Sequence, residues 1–204
     1  MRILIIGTPR SGTSTLTNGL GRCFNYQIIS EPFNSNFIPN PKNTRYKNGF
    51  FNIPDNVVLK TISNQRPQEV MDKKIDIMDF YEGFIPIFDK IILLSRKNKL
   101  NLFESYTFAK DSNSWHVKWV KVNELDCTKY ELELNNNIKT FHRIVEKYNY
   151  EITWYEDLYS GDEIKIKDIL EKWNIPGLEY DCLFNYINPK HKYRQDDNYN
   201  KKLL

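Results

Sequence analysis

Alanine is almost absent from this sequence: Ala109 is the only one in 204 residues. Asn, Lys, Ile and Tyr abound in its place, all residues with AT-rich codons. The bias reads as the base composition of an AT-rich genome, viral or bacterial, and carries no chemistry. A strong charge of one sign is also lacking. Lys and Arg total 29 against 26 Asp and Glu, a net charge of +3. That excludes the heavily basic profile of a dedicated DNA binder. A local positive cleft for a small anion fits the balance as well. Cysteine is scarce, with Cys23, Cys127 and Cys182 far apart and no CxxC pair. A zinc ribbon or a thioredoxin-type site is thereby excluded. An odd cysteine count without a secretion signal leads us to expect a reducing, cytoplasmic compartment. Long apolar runs are missing too. The run from Met1 to Gly7 is too short for a signal peptide, and nothing approaches the roughly 20 residues that span a bilayer. We expect neither a membrane nor a nucleic acid as partner.

What is present is enough to build a core. Hydrophobic residues make up 40% of the chain and aromatics 14%, which excludes a wholly disordered protein. The length suits one domain over residues 1–204. Ile3 to Ile6 is a short β-branched run ending at Gly7, the pattern of a buried parallel strand. A helix is expected from Thr13, with Leu16 and Leu20 on one face and Gly21 as its stop. Further strands are expected at Tyr26–Ile29, Asn56–Thr61, Lys90–Ser95 and Ile152–Trp154. Helices are expected within 66–82, from Arg96 to about Lys110, over 128–148 with a break at Asn135–Asn137, and over 162–173. Residues 33–55 read as a long loop and the tail from about 185 as irregular. Strands alternating with helices predict an α/β fold, a three-layer sandwich with a mainly parallel central sheet, and the Gly7-Thr8-Pro9-Arg10-Ser11-Gly12-Thr13-Ser14 loop makes the expected type the phosphate-loop one.

The sharpest motif is Gly7-Thr8-Pro9-Arg10-Ser11-Gly12-Thr13-Ser14. It has the frame of a phosphate-binding loop between a strand and a helix. The glycines let several backbone N–H groups face one anion, and the helix N-terminus adds partial positive charge. A nucleotide-cleaving loop carries Lys after its second glycine; here Thr13 stands there, and Arg10 is the cation left in the loop. Such a loop suits holding a phosphate better than hydrolysing ATP. Its grip is expected to come from main-chain amides and one guanidinium, without an ammonium group.

Residues Gly7 to Leu16 resemble the 5′-phosphosulfate loop of the sulfotransferase family, which uses 3′-phosphoadenosine 5′-phosphosulfate (PAPS) as sulfuryl donor. Leu93-Leu94-Ser95-Arg96, followed by Ser105, is similar to that family's 3′-phosphate motif, with a spacing closer to the bacterial carbohydrate-type branch. Trp154-Tyr155-Glu156-Asp157-Leu158 resembles a family segment that precedes a C-terminal helix.

The resemblance implies a set of roles. Arg10, with Pro9, Ser11, Gly12, Thr13, Ser14 and Thr15, would cradle the 5′-phosphosulfate. Arg96 and Ser105 would hold the 3′-phosphate, aided by Lys192 and Arg194 in the tail. Glu31 would be the general base and Lys60 would neutralise the leaving oxygen. Pro32 predicts an extended backbone at Glu31, which would put its carboxylate at a strand end. No acidic cluster suggests a metal. His116 is a candidate for touching acceptor or cofactor, while His142 and His191 have no partner at catalytic spacing. Phe33, Phe37, Tyr46, Phe50 and Phe51 would shape an acceptor groove or join the core. The implied reaction moves a sulfuryl group from PAPS to a hydroxyl of a carbohydrate or small metabolite and leaves 3′,5′-ADP. Two alternatives stay open: a P-loop kinase of small molecules, and a non-catalytic nucleotide-binding protein of the same fold.

Overall fold

The computed structural model describes residues 1–33, 46–47, 50–51, 53–113 and 127–188. Five parallel strands form its central sheet in the order β2-β5-β1-β6-β7. They are β1 (Arg2–Gly7), β2 (Gln27–Ser30), β5 (Val57–Ile62), β6 (Lys90–Ser95) and β7 (Ile152–Trp154). Between β2 and β5 lie two short antiparallel strands, β3 (Tyr46–Lys47) and β4 (Phe50–Phe51), inside the segment expected to be loop. The helices are α1 (Thr13–Phe24), α2 (Gln68–Asp72), α3 (Ile77–Phe84), α4 (Lys99–Ser112), α5 (Glu131–Tyr148), α6 (Tyr155–Leu158), α7 (Glu163–Trp173) and α8 (Tyr180–Ile187).

Side-chain alternation along β1 divides the core. Leu4 and Ile6 face α3 and α5, meeting Met78, Tyr81, Phe84, Phe141 and Ile144. Ile3 and Ile5 face the other way, onto Leu16 and Leu20 of α1, Ile166 of α7 and Leu183 of α8. Helices on both faces of a buried parallel sheet give the three-layer α/β architecture the sequence predicts.

Four local expectations are corrected. Helix α1 does not stop at Gly21. It runs to Phe24, and Asn25 closes it in the left-handed region with φ 53°. Gly21 instead admits Ile28: a Cβ there would lie 2.4 Å from the Ile28 side chain. The helix expected within 66–82 is two helices, separated at Lys74 with φ 54° and restarted by Asp76, whose carboxylate accepts from Met78 N–H. Helix α5 passes unbroken through Asn135–Asn137, because Asn137 turns inward and donates to Glu133 O at 2.9 Å. Helix α8 continues through Asn185 to Ile187, where the tail was expected to be irregular already.

One covalent link joins distant parts. Cys23 at the end of α1 and Cys182 in α8 form a disulfide across 159 residues of sequence. It runs against the expectation of a reducing compartment, since such bonds persist mainly in oxidising ones. Sequence distance concealed the pair; the packing of α8 on α1, where Leu183 and Tyr186 crowd Gly19, creates it. Among the described residues, no helix is long and apolar enough to cross a membrane.

Candidate active site

The loop after β1 lies at the carboxyl end of the central strand, with β5 on one side and β6 on the other. In open α/β sheets this is where ligands bind. Gly12 opens α1 with φ 83°, a conformation glycine adopts without a Cβ penalty. A Cβ on Gly12 would also meet the rings of Tyr159 at 2.6 Å and Tyr155 at 2.9 Å. Among the described residues no side chain caps α1 and its first turn holds no acid, so its partial positive charge is unopposed there. Thr8 and Ser11 are buried, and the Ser11 hydroxyl donates to Thr8 O at 2.7 Å. Ser11 therefore shapes the loop from within. Pro9 and Thr13 are buried as well, whereas Ser14 and Thr15 stay half-exposed.

Two arginines meet beside this loop. Arg10 is left-handed at φ 61°, and its Nε donates to Ser105 Oγ at 2.9 Å. Ser105 is only 1% exposed, in the second turn of α4. Arg96, at the end of β6, lays its guanidinium 4.1 Å from the centre of the Tyr155 ring. The resemblance assigns Arg10 to one phosphate and Arg96 with Ser105 to the other; the structure gathers all three into one cluster. Burial, then repulsion from Arg96, holds Arg10 below the usual arginine range. Burial likewise lowers Arg96, with Tyr155 and Glu156 opposing. The Nε of Arg96 is buried and has no hydrogen-bond partner among the described residues. A buried donor left unpaired costs about 1–3 kcal/mol. The cation–π contact returns about 0.5–2 kcal/mol, so stacking alone at best balances it. An anion between the two guanidiniums would satisfy the donor and relieve the repulsion together.

A second cluster adjoins the first across α1. Lys60 is 3% exposed within β5, two residues before the strand ends. Its Nζ donates to Ser14 Oγ at 2.7 Å and pairs with Glu31 Oε1 at 2.7 Å. An ammonium thus stands against Ser14, the last residue of the loop motif, from a neighbouring strand. The pair follows from register: Ser30 stands opposite Lys60 in the β2–β5 ladder, and Glu31 N–H donates to Lys60 O at 2.8 Å. Glu31 is not extended. It sits at φ 49°, a left-handed conformation that costs a non-glycine residue roughly 1–2 kcal/mol. Its ladder bond and its ion pair hold it there against the preference set by Pro32. Gln65 completes the cluster, donating from Nε2 to Glu31 Oε2 at 3.0 Å.

Sequence reasoning undervalued one motif. Tyr155 supports Arg96, and the Tyr159 hydroxyl donates to Gly12 O at 2.7 Å. The Glu156 carboxylate accepts from the backbone N–H groups of Lys97 at 2.9 Å and Asn98 at 3.1 Å. Asp157 pairs with Lys97 at 2.6 Å. The Tyr-Glu-Asp-Leu segment thus clamps the turn that carries Arg96, and Tyr159, the residue after it, fastens the glycine-framed loop. Gln65 had no sequence signal at all. Among the other expectations, Phe33 packs edge-on against Phe80 and Phe84 in the core. His142 lies exposed on α5. Phe37, His116, His191, Lys192 and Arg194, and the side chains of Tyr46, Phe50 and Phe51, fall outside the described residues. A depression of about 480 Å³ between α3 and α5 is lined by Met78, Arg143, Glu146 and Lys147. Arg143 and Lys147 are paired there with Asp76 and Glu82, which leaves the loop as the stronger site.

Comparison with known proteins finds no family model that matches this chain and no curated protein that matches it significantly. The class defined by fold and site is an α/β protein with a glycine-framed loop beside clustered cations. Its activity has to be argued from that geometry.

Proposed function

We propose that this protein is a sulfotransferase that moves a sulfuryl group from PAPS to a hydroxyl of a carbohydrate or small metabolite. The observation that carries the reading is the Arg10–Ser105 contact beside Arg96, whose buried Nε has no partner among the described residues, together with the Lys60–Glu31 pair against Ser14 of the same loop. The first cluster suits a phosphate and the second suits proton transfer. The donor supplies an activated sulfuryl group on a phosphate leaving group.

The residues divide the work. Arg10, Arg96 and Ser105 bind a nucleotide phosphate through charge-assisted hydrogen bonds. The open amides of Gly12, Thr13, Ser14 and Thr15 receive the other phosphate at the α1 N-terminus. Lys60, already against Ser14, stabilises charge that develops on the leaving oxygen. Glu31 accepts the acceptor hydroxyl proton as the new sulfur–oxygen bond forms. The old bond to phosphate breaks, and 3′,5′-ADP departs with the electron pair. Positioning and charge suffice, because no covalent enzyme intermediate is needed.

The test is isothermal titration with 3′,5′-ADP, with and without magnesium, followed by transfer of labelled sulfate from PAPS to a panel of hydroxyl acceptors. Metal-independent binding of 3′,5′-ADP and transfer abolished in Glu31→Ala are expected. Undiminished transfer in Arg10→Ala would sink the mechanism. A second reading, a small-molecule kinase, draws on the Lys60 ammonium at Ser14. It requires magnesium-dependent ATP binding instead. Binding of 3′,5′-ADP with no transfer to any acceptor would favour the non-catalytic alternative.

A further inference from the structure

We infer that Gln65 is a positioning residue for the Glu31 carboxylate, an inference that rests on the sulfuryl-transfer reading for its catalytic consequence. Glu31 leaves β2 in a left-handed turn, so its backbone alone does not aim the carboxylate. Two side chains do. Lys60 takes Oε1 at 2.7 Å, and Gln65 Nε2 donates to Oε2 at 3.0 Å. Two neighbours on different oxygens fix the plane of the carboxylate as well as its place.

Gln65 can act as such a brace because it is itself held. After β5 the chain turns through Ser63 and Asn64, and Gln65 N–H donates to Ile62 O at 2.9 Å. Its side-chain Oε1 then accepts from Ile62 N–H at 3.1 Å and from Thr61 Oγ1 at 3.4 Å. The amide has one workable orientation. Exchanging its oxygen and nitrogen would set donor against donor at Ile62 and acceptor against acceptor at Glu31. The brace is therefore anchored to β5, the strand that also carries Lys60, so Lys60 and Gln65 move with one rigid element. Placing a reacting group through such supports is what separates productive geometry from a loose site.

Two substitutions divide the functions of the amide. Gln65→Glu keeps an acceptor for Ile62 N–H and removes the donor to Glu31; Gln65→Leu removes both. Steady-state transfer, 3′,5′-ADP affinity and melting temperature are measured for each. Both variants are expected to lose about tenfold in kcat, while KM for PAPS and Kd for 3′,5′-ADP stay within about twofold. Unchanged kcat in a folded Gln65→Glu protein overturns the inference. So does loss that tracks melting temperature, with Gln65→Leu impaired and Gln65→Glu normal. A readout free of activity separates this inference from the reading beneath it. The Gln65 side-chain NH₂ resonances are expected to shift, and their hydrogen exchange to quicken, in Glu31→Ala. If wild-type protein transfers no sulfate yet those resonances respond, the sulfotransferase reading fails and the brace stands. If they do not respond, the brace fails whatever the enzyme does.

Discussion

At the scale of single residues, two charge clusters do opposite things. Arg10 and Arg96 repel each other beside an unpaired donor, so that site gains from a ligand. Lys60 and Glu31 satisfy each other, so that site is stable without one. Arg96→Ala is therefore expected to cost binding and spare the fold: 3′,5′-ADP affinity falls by roughly 10- to 100-fold by titration calorimetry, the loss of one charge-assisted contact of about 1.5–3 kcal/mol. Lys60→Met is expected to cost the fold. It leaves the Glu31 carboxylate largely buried beside an apolar chain, and removing one partner of a buried pair destabilises by roughly 3–5 kcal/mol. A urea melt checks this. Adding Glu31→Leu to the Lys60→Met chain is expected to recover part of the loss, because the unpaired charge then disappears as well.

At the scale of elements, strands were more legible than turns. The apolar runs at Ile3–Ile6 and Lys90–Ser95 declare buried parallel strands because β-branched side chains face helices on both sides. The ends of helices were less legible, for particular reasons. Gly21 looks like a stop, but its missing Cβ serves the approach of Ile28. Asn135–Asn137 looks like a break, but the Asn137 NH₂ bonds back to Glu133 O within the helix, although its buried Oδ1 has no partner among the described residues. Of the site, the loop and the strand-end Arg96 were readable from spacing. The Lys60–Glu31–Gln65 contacts were not, since they depend on the β2–β5 register and on a left-handed Glu31. One element boundary yields a test. Asp76 caps α3, and the hydrogen bond from Met78 N–H, aided by Arg143, holds its carboxyl below the usual range. Because its folded value is depressed, the cap's contribution is complete above the unfolded carboxylate value near 4. It is lost as pH falls through the lower folded value. Asp76→Ala is expected to lower stability by about 1 kcal/mol at neutral pH. Thermal melts of the two proteins should converge in acid.

At the scale of the whole molecule, helices from the early and late parts of the chain are joined on one face of the sheet. The Cys23–Cys182 disulfide ties α8 to the helix that begins at the phosphate loop. A cross-link of this kind stabilises mainly by restricting the unfolded chain, typically by 2–4 kcal/mol. Reductant, or Cys23→Ser with Cys182→Ser, is expected to lower the unfolding free energy measured in urea by an amount of that order. The fold is expected to survive in native buffer, since the α1–α8 contact also buries Leu183 and Ile187.

The lock on Gly12 has a consequence for how the protein is made. Tyr159 reaches the loop from 147 positions downstream, and Glu156 grips the turn after Arg96 from nearly as late in the chain. The ribosome delivers the loop first and its fastening among the last elements. A nascent chain arrested before β7 lacks both of these fastenings. On the proposed reading, competence to bind nucleotide is then expected late in translation, and half-made copies would not compete with finished ones for it.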